Sequence, residues 1–252
     1  MKIIVTFAVR TEFAPWRRMW NFERVGEKHA PIYLARRDRT EVYAVITGIG
    51  MRGAQTQLGK LLAQPADICV TSGLAGSLKR QHSAGRILVA KATRRDNTET
   101  CSRSDDHLVK LAAQCEATPV DFFYTSGAVV SSASQKLSLG ETADAVDMES
   151  FYVMSEARRH GVPAVAVRAI SDPVDRNLPL DFNRAVGEDG KIGWLPALSQ
   201  IVAAPGRLPQ LVRFGFESSR AARKLAHFLE RYLNCLTAEA KSHLNIAHTE
   251  VG

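Results

Sequence analysis

Short apolar runs rich in β-branched residues recur along the chain, at Lys2 to Val9, Val42 to Ile46, Ile68 to Val70, Arg86 to Ala90 and Ala164 to Ala169. Each predicts a buried strand. Between them, apolar residues fall at three- and four-residue spacing over Glu12 to Trp20, Met51 to Leu62, Asp105 to Cys115 and Glu149 to His160, which predicts helices. The last stops at Gly161, with Pro163 two residues on, a sequence that ends helices. The alternation predicts α/β layers around a mostly buried central sheet.

The pattern changes after residue 205. Leu208, Leu211, Val212, Ala221, Ala222, Leu225, Phe228, Leu229, Tyr232, Leu233 and Leu236 recur largely at helical spacing, with Arg213, Arg220, Arg223, Lys224 and Arg231 between them. Residues 1–205 are therefore expected to form the main domain. Residues 206–252 are expected to be a basic amphipathic helical extension docked on it by the apolar face, fraying beyond Lys241.

Composition narrows the function classes. With 252 residues, 45% hydrophobic and 23% charged, the chain can bury a core without metal or disulfide. Its net charge of +7 favours anionic partners, but the basic residues are scattered pairs such as Arg17-Arg18 and Arg94-Arg95, so no nucleic-acid partner is expected. Cys69, Cys101, Cys115 and Cys235 lie far apart without nearby histidines at ligand spacing. They are read as reduced structural thiols, with no metal and no cofactor expected. No run reaches the roughly 18 apolar residues of a membrane span, and the N-terminus lacks a signal-peptide core. A cytoplasmic protein, at most peripheral on the inner face of a membrane, is the expectation.

Two glycine-containing turns, Gly48-Ile49-Gly50 and Ser72-Gly73-Leu74-Ala75-Gly76, follow predicted strands and would let a ligand approach backbone N–H groups. Neither is a dinucleotide fingerprint or a P-loop. Glu12, Glu149 and Asp172 stand at or just beyond predicted strand ends, where open α/β sheets bind ligands. Each also has a plain structural use. Glu12 and Glu149 suit a first helical turn, and Asp172 before Pro173 suits a helix N-cap. Arg168 is read as a partner in a structural ion pair.

Val45-Ile46-Thr47-Gly48-Ile49-Gly50, Thr71 to Gly76, Ala145-Val146-Asp147-Met148-Glu149-Ser150 and Val167-Arg168-Ala169-Ile170-Ser171-Asp172 occur in an order that resembles the purine nucleoside phosphorylase and nucleosidase superfamily. Over residues 1–205 the chain is most similar to the methylthioadenosine/S-adenosylhomocysteine nucleosidase branch. The resemblance implies a three-layer α/β/α sandwich on a twisted mixed sheet, and a likeness to proteins that commonly form homo-oligomers. It implies that Asp172 protonates the departing purine, that Glu12 activates water, and that Glu149 with Met148 holds the ribose hydroxyls. Leu74, Ala75, Gly76, Val130 and Ser131 would line the sugar and base, and Phe182, or Leu180 on a shifted alignment, would cover the sugar. The chemistry is coherent, because an oxocarbenium-like state needs a proton on the leaving base and a nucleophile on the opposite face.

The same resemblance frames the alternatives. Phosphorylases of the superfamily hold phosphate with arginine and hydroxyl side chains, whereas Glu12 would repel phosphate and Leu74 cannot hydrogen-bond it; Arg10 is the nearby cation that keeps phosphorolysis as the runner-up. A non-catalytic nucleoside- or lipid-surface-binding protein is the rival of another class. Leu74 stands in place of a small hydroxyl residue, and Val130-Ser131 in place of an aromatic-aliphatic pair. With the basic extension, which resembles that of a hopanoid-associated branch, they suggest a small-molecule or lipid-linked nucleoside with an apolar 5′ group.

Overall fold

A computed structural model describes residues 1–25, 31–51, 55–95, 100–181, 183, 206 and 208–249. Among these residues eleven strands run β1 (Lys2–Phe7), β2 (Glu23–Arg24), β3 (Ile32–Arg37), β4 (Thr40–Ile46), β5 (Ile68–Thr71), β6 (Leu74–Ser77), β7 (Ile87–Arg95), β8 (Cys101–Arg103), β9 (Thr118–Thr125), β10 (Ala145–Asp147) and β11 (Ala164–Asp172). The helices are α1 (Arg10–Met19), α2 (Gln55–Leu62), α3 (Asp106–Gln114), α4 (Ala133–Leu139), α5 (Ser150–Arg159) and α6 (Leu208–Thr249).

The strands form one mixed sheet in the order β2-β3-β4-β1-β5-β11-β6-β10-β9-β7-β8. Strand β11 is its hub. Its first residues pair in parallel with β5, its last with β6, and Ala166 to Ala169 pair antiparallel with β7. The pairings β6–β10, β10–β9 and β9–β7 complete a ring, so this half of the sheet closes into a five-stranded barrel. All nine residues of β11 are buried, as a strand covered on both faces and both edges must be.

Strand alternation sends successive side chains to opposite faces. Ile3, Val5 and Phe7 of β1 and Val165, Val167 and Ala169 of β11 pack with Phe13 and Trp16 of α1, Leu108 of α3 and Leu225, Phe228, Leu229 and Tyr232 of α6. Ile4 of β1 and Ala164, Ala166 and Ile170 of β11 face Leu58 of α2 and Val153 and Met154 of α5. These two cores make the three-layer α/β/α arrangement that the resemblance implied.

Helix α6 joins the first core through Ala221, Ala222, Leu225, Ala226, Phe228, Leu229, Tyr232, Leu233 and Leu236. Its backbone stays helical to Thr249, where fraying beyond Lys241 was expected. The first turns depart from the docking stripe: Leu208, Val212 and Phe216 are exposed. The second glycine turn is also shorter than expected. Only Ser72 and Gly73 turn, and Leu74 to Ser77 form β6.

Candidate active site

A cavity of about 290 Å³ opens where β1, β10 and β11 end, beside β6. Glu12, Leu74, Ala75, Gly76, Val130, Met148, Glu149 and Asp172 all line it. Ser131 instead faces a neighbouring cavity that shares Val130. Phe182 lies outside the described residues.

Glu12 is the third residue of α1, and its side chain folds back beneath the helix start. Oε2 accepts from the N–H groups of Ala8 (3.0 Å) and Val9 (3.2 Å), and Oε1 from Leu74 N–H (2.9 Å). The helix-start role and a place at the cavity thus coexist in one side chain. Burial raises its pKa, against the Leu74 N–H, the Arg168 guanidinium and the Val9 and Ala8 N–H groups. A desolvated carboxylate facing a cavity is a stronger proton acceptor than one in water.

Glu149 precedes α5 directly and is also buried. Its Oε1 accepts from Gly50 N–H at 2.8 Å. Gly48 and Gly50 have φ of 76° and 66°, the left-handed conformation that glycine adopts without strain. The first glycine turn therefore gives Gly50 N–H to a carboxylate of the same chain. Burial, then the charges of Asp147 and Glu12, push the Glu149 carboxyl up to about 8, with Arg168 and the Gly50 N–H opposing.

Asp172 ends β11 and caps no helix. Its Oδ1 accepts from Ser171 Oγ at 2.7 Å, and its Oδ2 from the ammonium of Lys136. A Cβ on Gly76 would stand 3.2 Å from Oδ2, so glycine there gives the carboxylate room. The β11 register shifts between Ile170 and Asp172, an irregularity of the kind that re-aims a strand end.

Beneath the cavity, Arg168 is buried and donates from Nε to Asp147 Oδ2 (2.8 Å) and from Nη2 to Thr71 Oγ1 (3.1 Å). It is the structural ion pair read from the sequence. Asp147 also accepts from Thr125 Oγ1 (2.8 Å) and from Ser150, so β5, β9, β10, β11 and α5 converge on one polar knot. Arg10 is exposed, and among the described residues lining the cavity none is Lys or Arg. No cluster of metal ligands occurs among the described residues.

The family model of the phosphorylase superfamily matches residues 2–191. The chain belongs to that superfamily. Among curated proteins it is similar to a 5′-methylthioadenosine/S-adenosylhomocysteine nucleosidase of Staphylococcus carnosus, 26% identical over 69% of this chain and 87% of that protein. Among solved structures it resembles the same-named nucleosidase of Helicobacter pylori, with a TM-score of 0.70 and 20% identity over 93% and 98% of the two chains. A futalosine hydrolase mutant from the same species has a TM-score of 0.69 and 18% identity over 93% and 99%. At these identities the structures establish a shared fold of the superfamily.

Several cavity neighbours were not singled out from the sequence, and three of them, from helices α4 and α6, bear on the site. Phe214 and Ser218 of α6 line the cavity, although the superfamily model ends at residue 191. The signal for Phe214 was a large apolar residue off the docking stripe of α6; Ser218 had none. Lys136, the partner of Asp172, sits in a short polar helix, where nothing in spacing or composition separates it from a solvated lysine.

Proposed function

We propose that this protein is an adenosine-type nucleoside N-ribohydrolase that releases the free base. The observation that carries the reading is the joining of Glu12, Glu149 and Asp172 around one cavity free of cationic lining among the described residues. In this reading Asp172 protonates the base as the glycosidic bond breaks, Glu12 takes a proton from the attacking water, and Glu149 with Met148 holds the ribose hydroxyls. The names of the similar nucleosidases support the same reaction class. The exposed position of Arg10 supports water over phosphate as nucleophile.

Leu74, Ile49, Val129, Val130 and Phe214 give the cavity an apolar lining suited to a purine and an apolar 5′ substituent. Phe214 also lines the cavity and is an aromatic, besides Phe182, suited to covering the sugar. A lipid-linked 5′ group is the extreme form of such a substrate. The exposed Leu208, Val212 and Phe216 lie at four-residue spacing beside Arg213 and Arg220, a face suited to peripheral contact with an anionic membrane. Among the described residues no helix is long and apolar enough to cross a membrane. A homo-oligomer, checked by light scattering, completes the reading.

The test is chromatographic detection of free base from adenosine, inosine, methylthioadenosine and a 5′-alkyl adenosine, each without and with phosphate. Release in phosphate-free buffer is expected; release only with phosphate would make the protein a phosphorylase. Membrane contact is tested by flotation on anionic liposomes, comparing the full chain with Leu208→Ser, Val212→Ser and Phe216→Ser combined. Loss of flotation in the triple variant is expected, and a full chain that stays with the unbound fraction would remove the membrane contact.

A further inference from the structure

Lys136 is among the largest fully buried side chains of the protein. An ammonium in that environment loses several kcal/mol of hydration unless all its protons find acceptors. Here they do. Besides the Asp172 carboxylate, Nζ donates to the carbonyls of Pro173 (3.2 Å) and Arg176 (3.0 Å), which uses all three donors. Apolar residues of similar size at both positions would serve stability as well as the buried Lys136–Asp172 pair or better, so stability alone does not account for the pair.

The location does. The segment from Asp172 to Leu178 is joined to the start of α4 at two further points. Ala133 N–H donates to Asn177 Oδ1 (2.8 Å), and Leu178 N–H donates to Ser131 O (2.8 Å). Val130 and Leu178, on either side of this seam, both line the cavity. Lys136 is therefore the charged member of a seam that joins the Val130 wall to the Asp172 carboxylate, with its own ammonium turned away from the cavity lining.

We propose that Lys136 is a positioning residue for base departure: it fixes the plane of the Asp172 carboxylate toward the purine and balances its charge while the base is protonated. This rests on the nucleosidase reading of the same site. The proton passes between Asp172 and the purine, and Lys136 remains an ammonium throughout. A carboxylate released from Lys136 could rotate about its terminal torsion, which has broad wells, and turn both oxygens away from the base. A displacement of about 1 Å at a reacting group can cost on the order of 100-fold in rate.

The experiment compares wild type, Lys136→Met, Asp172→Asn and the double variant in two readouts, base release from methylthioadenosine and calorimetric binding of free adenine. Lys136→Met is expected to lower kcat about 100-fold while KM moves less than about threefold, and to weaken adenine binding about tenfold. In the Asp172→Asn background the same substitution is expected to cost nothing further, because a residue acting through Asp172 has nothing left to position. A merely structural lysine would lower both backgrounds alike, and that result would overturn the proposal. So would a folded Lys136→Met protein with wild-type kcat. Should Lys136→Met fail to fold with an unpaired buried carboxylate, the double variant, which buries no charge there, still decides against Asp172→Asn alone. If wild type binds adenine but cleaves no nucleoside, the hydrolase reading falls while adenine affinity still judges Lys136. If it does neither, both fall.

Discussion

Gly73 backs directly onto the carboxylate of Glu12. A Cβ at this position would lie 3.1 Å from Oε2 and 3.2 Å from Oε1, on a backbone with φ of +146°. Two independent constraints, a conformation closed to L side chains and a lack of space, therefore meet where the next residue, Leu74, offers its N–H to the same carboxylate. Gly73→Ala should destabilise the fold by about 1 to 3 kcal/mol and lower base release by at least about tenfold. Urea unfolding and steady-state kinetics on one preparation would show both; unaltered kinetics would mean that Glu12 tolerates displacement.

Asp172→Asn keeps the shape of the side chain and removes its capacity to pass a proton. Base release should fall by about 100-fold or more, and the unfolding midpoint should fall as well, because the buried Lys136 ammonium loses its counter-charge. Undiminished turnover would exclude Asp172 as the acid.

The Glu149 carboxyl, pushed up to about 8 from an ordinary value of 4.5, makes the stability of the protein pH-sensitive. Between those values the unfolded chain has released a proton that the folded chain still holds. The folded state binds more protons, so stability falls as pH rises through this window and levels off above it. Burial of Glu12 acts in the same direction. Glu149→Gln should flatten the decline and leave the variant more stable than wild type at pH 8, by on the order of a few kcal/mol, while matching it near pH 4.5. Thermal melts of both proteins from pH 4.5 to 9 test this. Parallel melting curves would show that Glu149 ionises normally.

Arg168 and Asp147 form a pair with both side chains about 1% exposed. Removing one partner from such a pair leaves a buried charge, so Arg168→Met should cost about 3 to 5 kcal/mol. Adding Asp147→Asn to it should recover part of the loss, since no lone charge then remains. Equilibrium unfolding of the single and double variants measures the coupling; strict additivity would show that the two charges act separately.

The sequence carried the layers of the fold and the three carboxylates, but not the closure of the sheet. Strands β1, β5 and β11 are apolar runs, visible because they are buried on both faces. Strands β6 and β10 have four and three residues, and β6 lies within a glycine-rich stretch that reads as a turn. What makes them strands is pairing with β11 and β9, a long-range property that local propensity does not encode. The site divides in the same way. Glu12, Glu149 and Asp172 follow strands in the chain, so position alone brought them forward. Lys136 and Phe214 reach the site from helices, and only the packing of α4 and α6 reveals them.

Helix α6 supplies nine buried residues to a core and, about two turns earlier, one wall of the cavity through Phe214 and Ser218. Foundation and doorway are thus cut from a single rod. A chain ending at Pro205 would lose the core contacts together with the wall, and so cannot serve as a trimmed but working enzyme. Heating should likewise extinguish activity and core packing as one event, making catalytic half-life a direct gauge of how firmly α6 is seated.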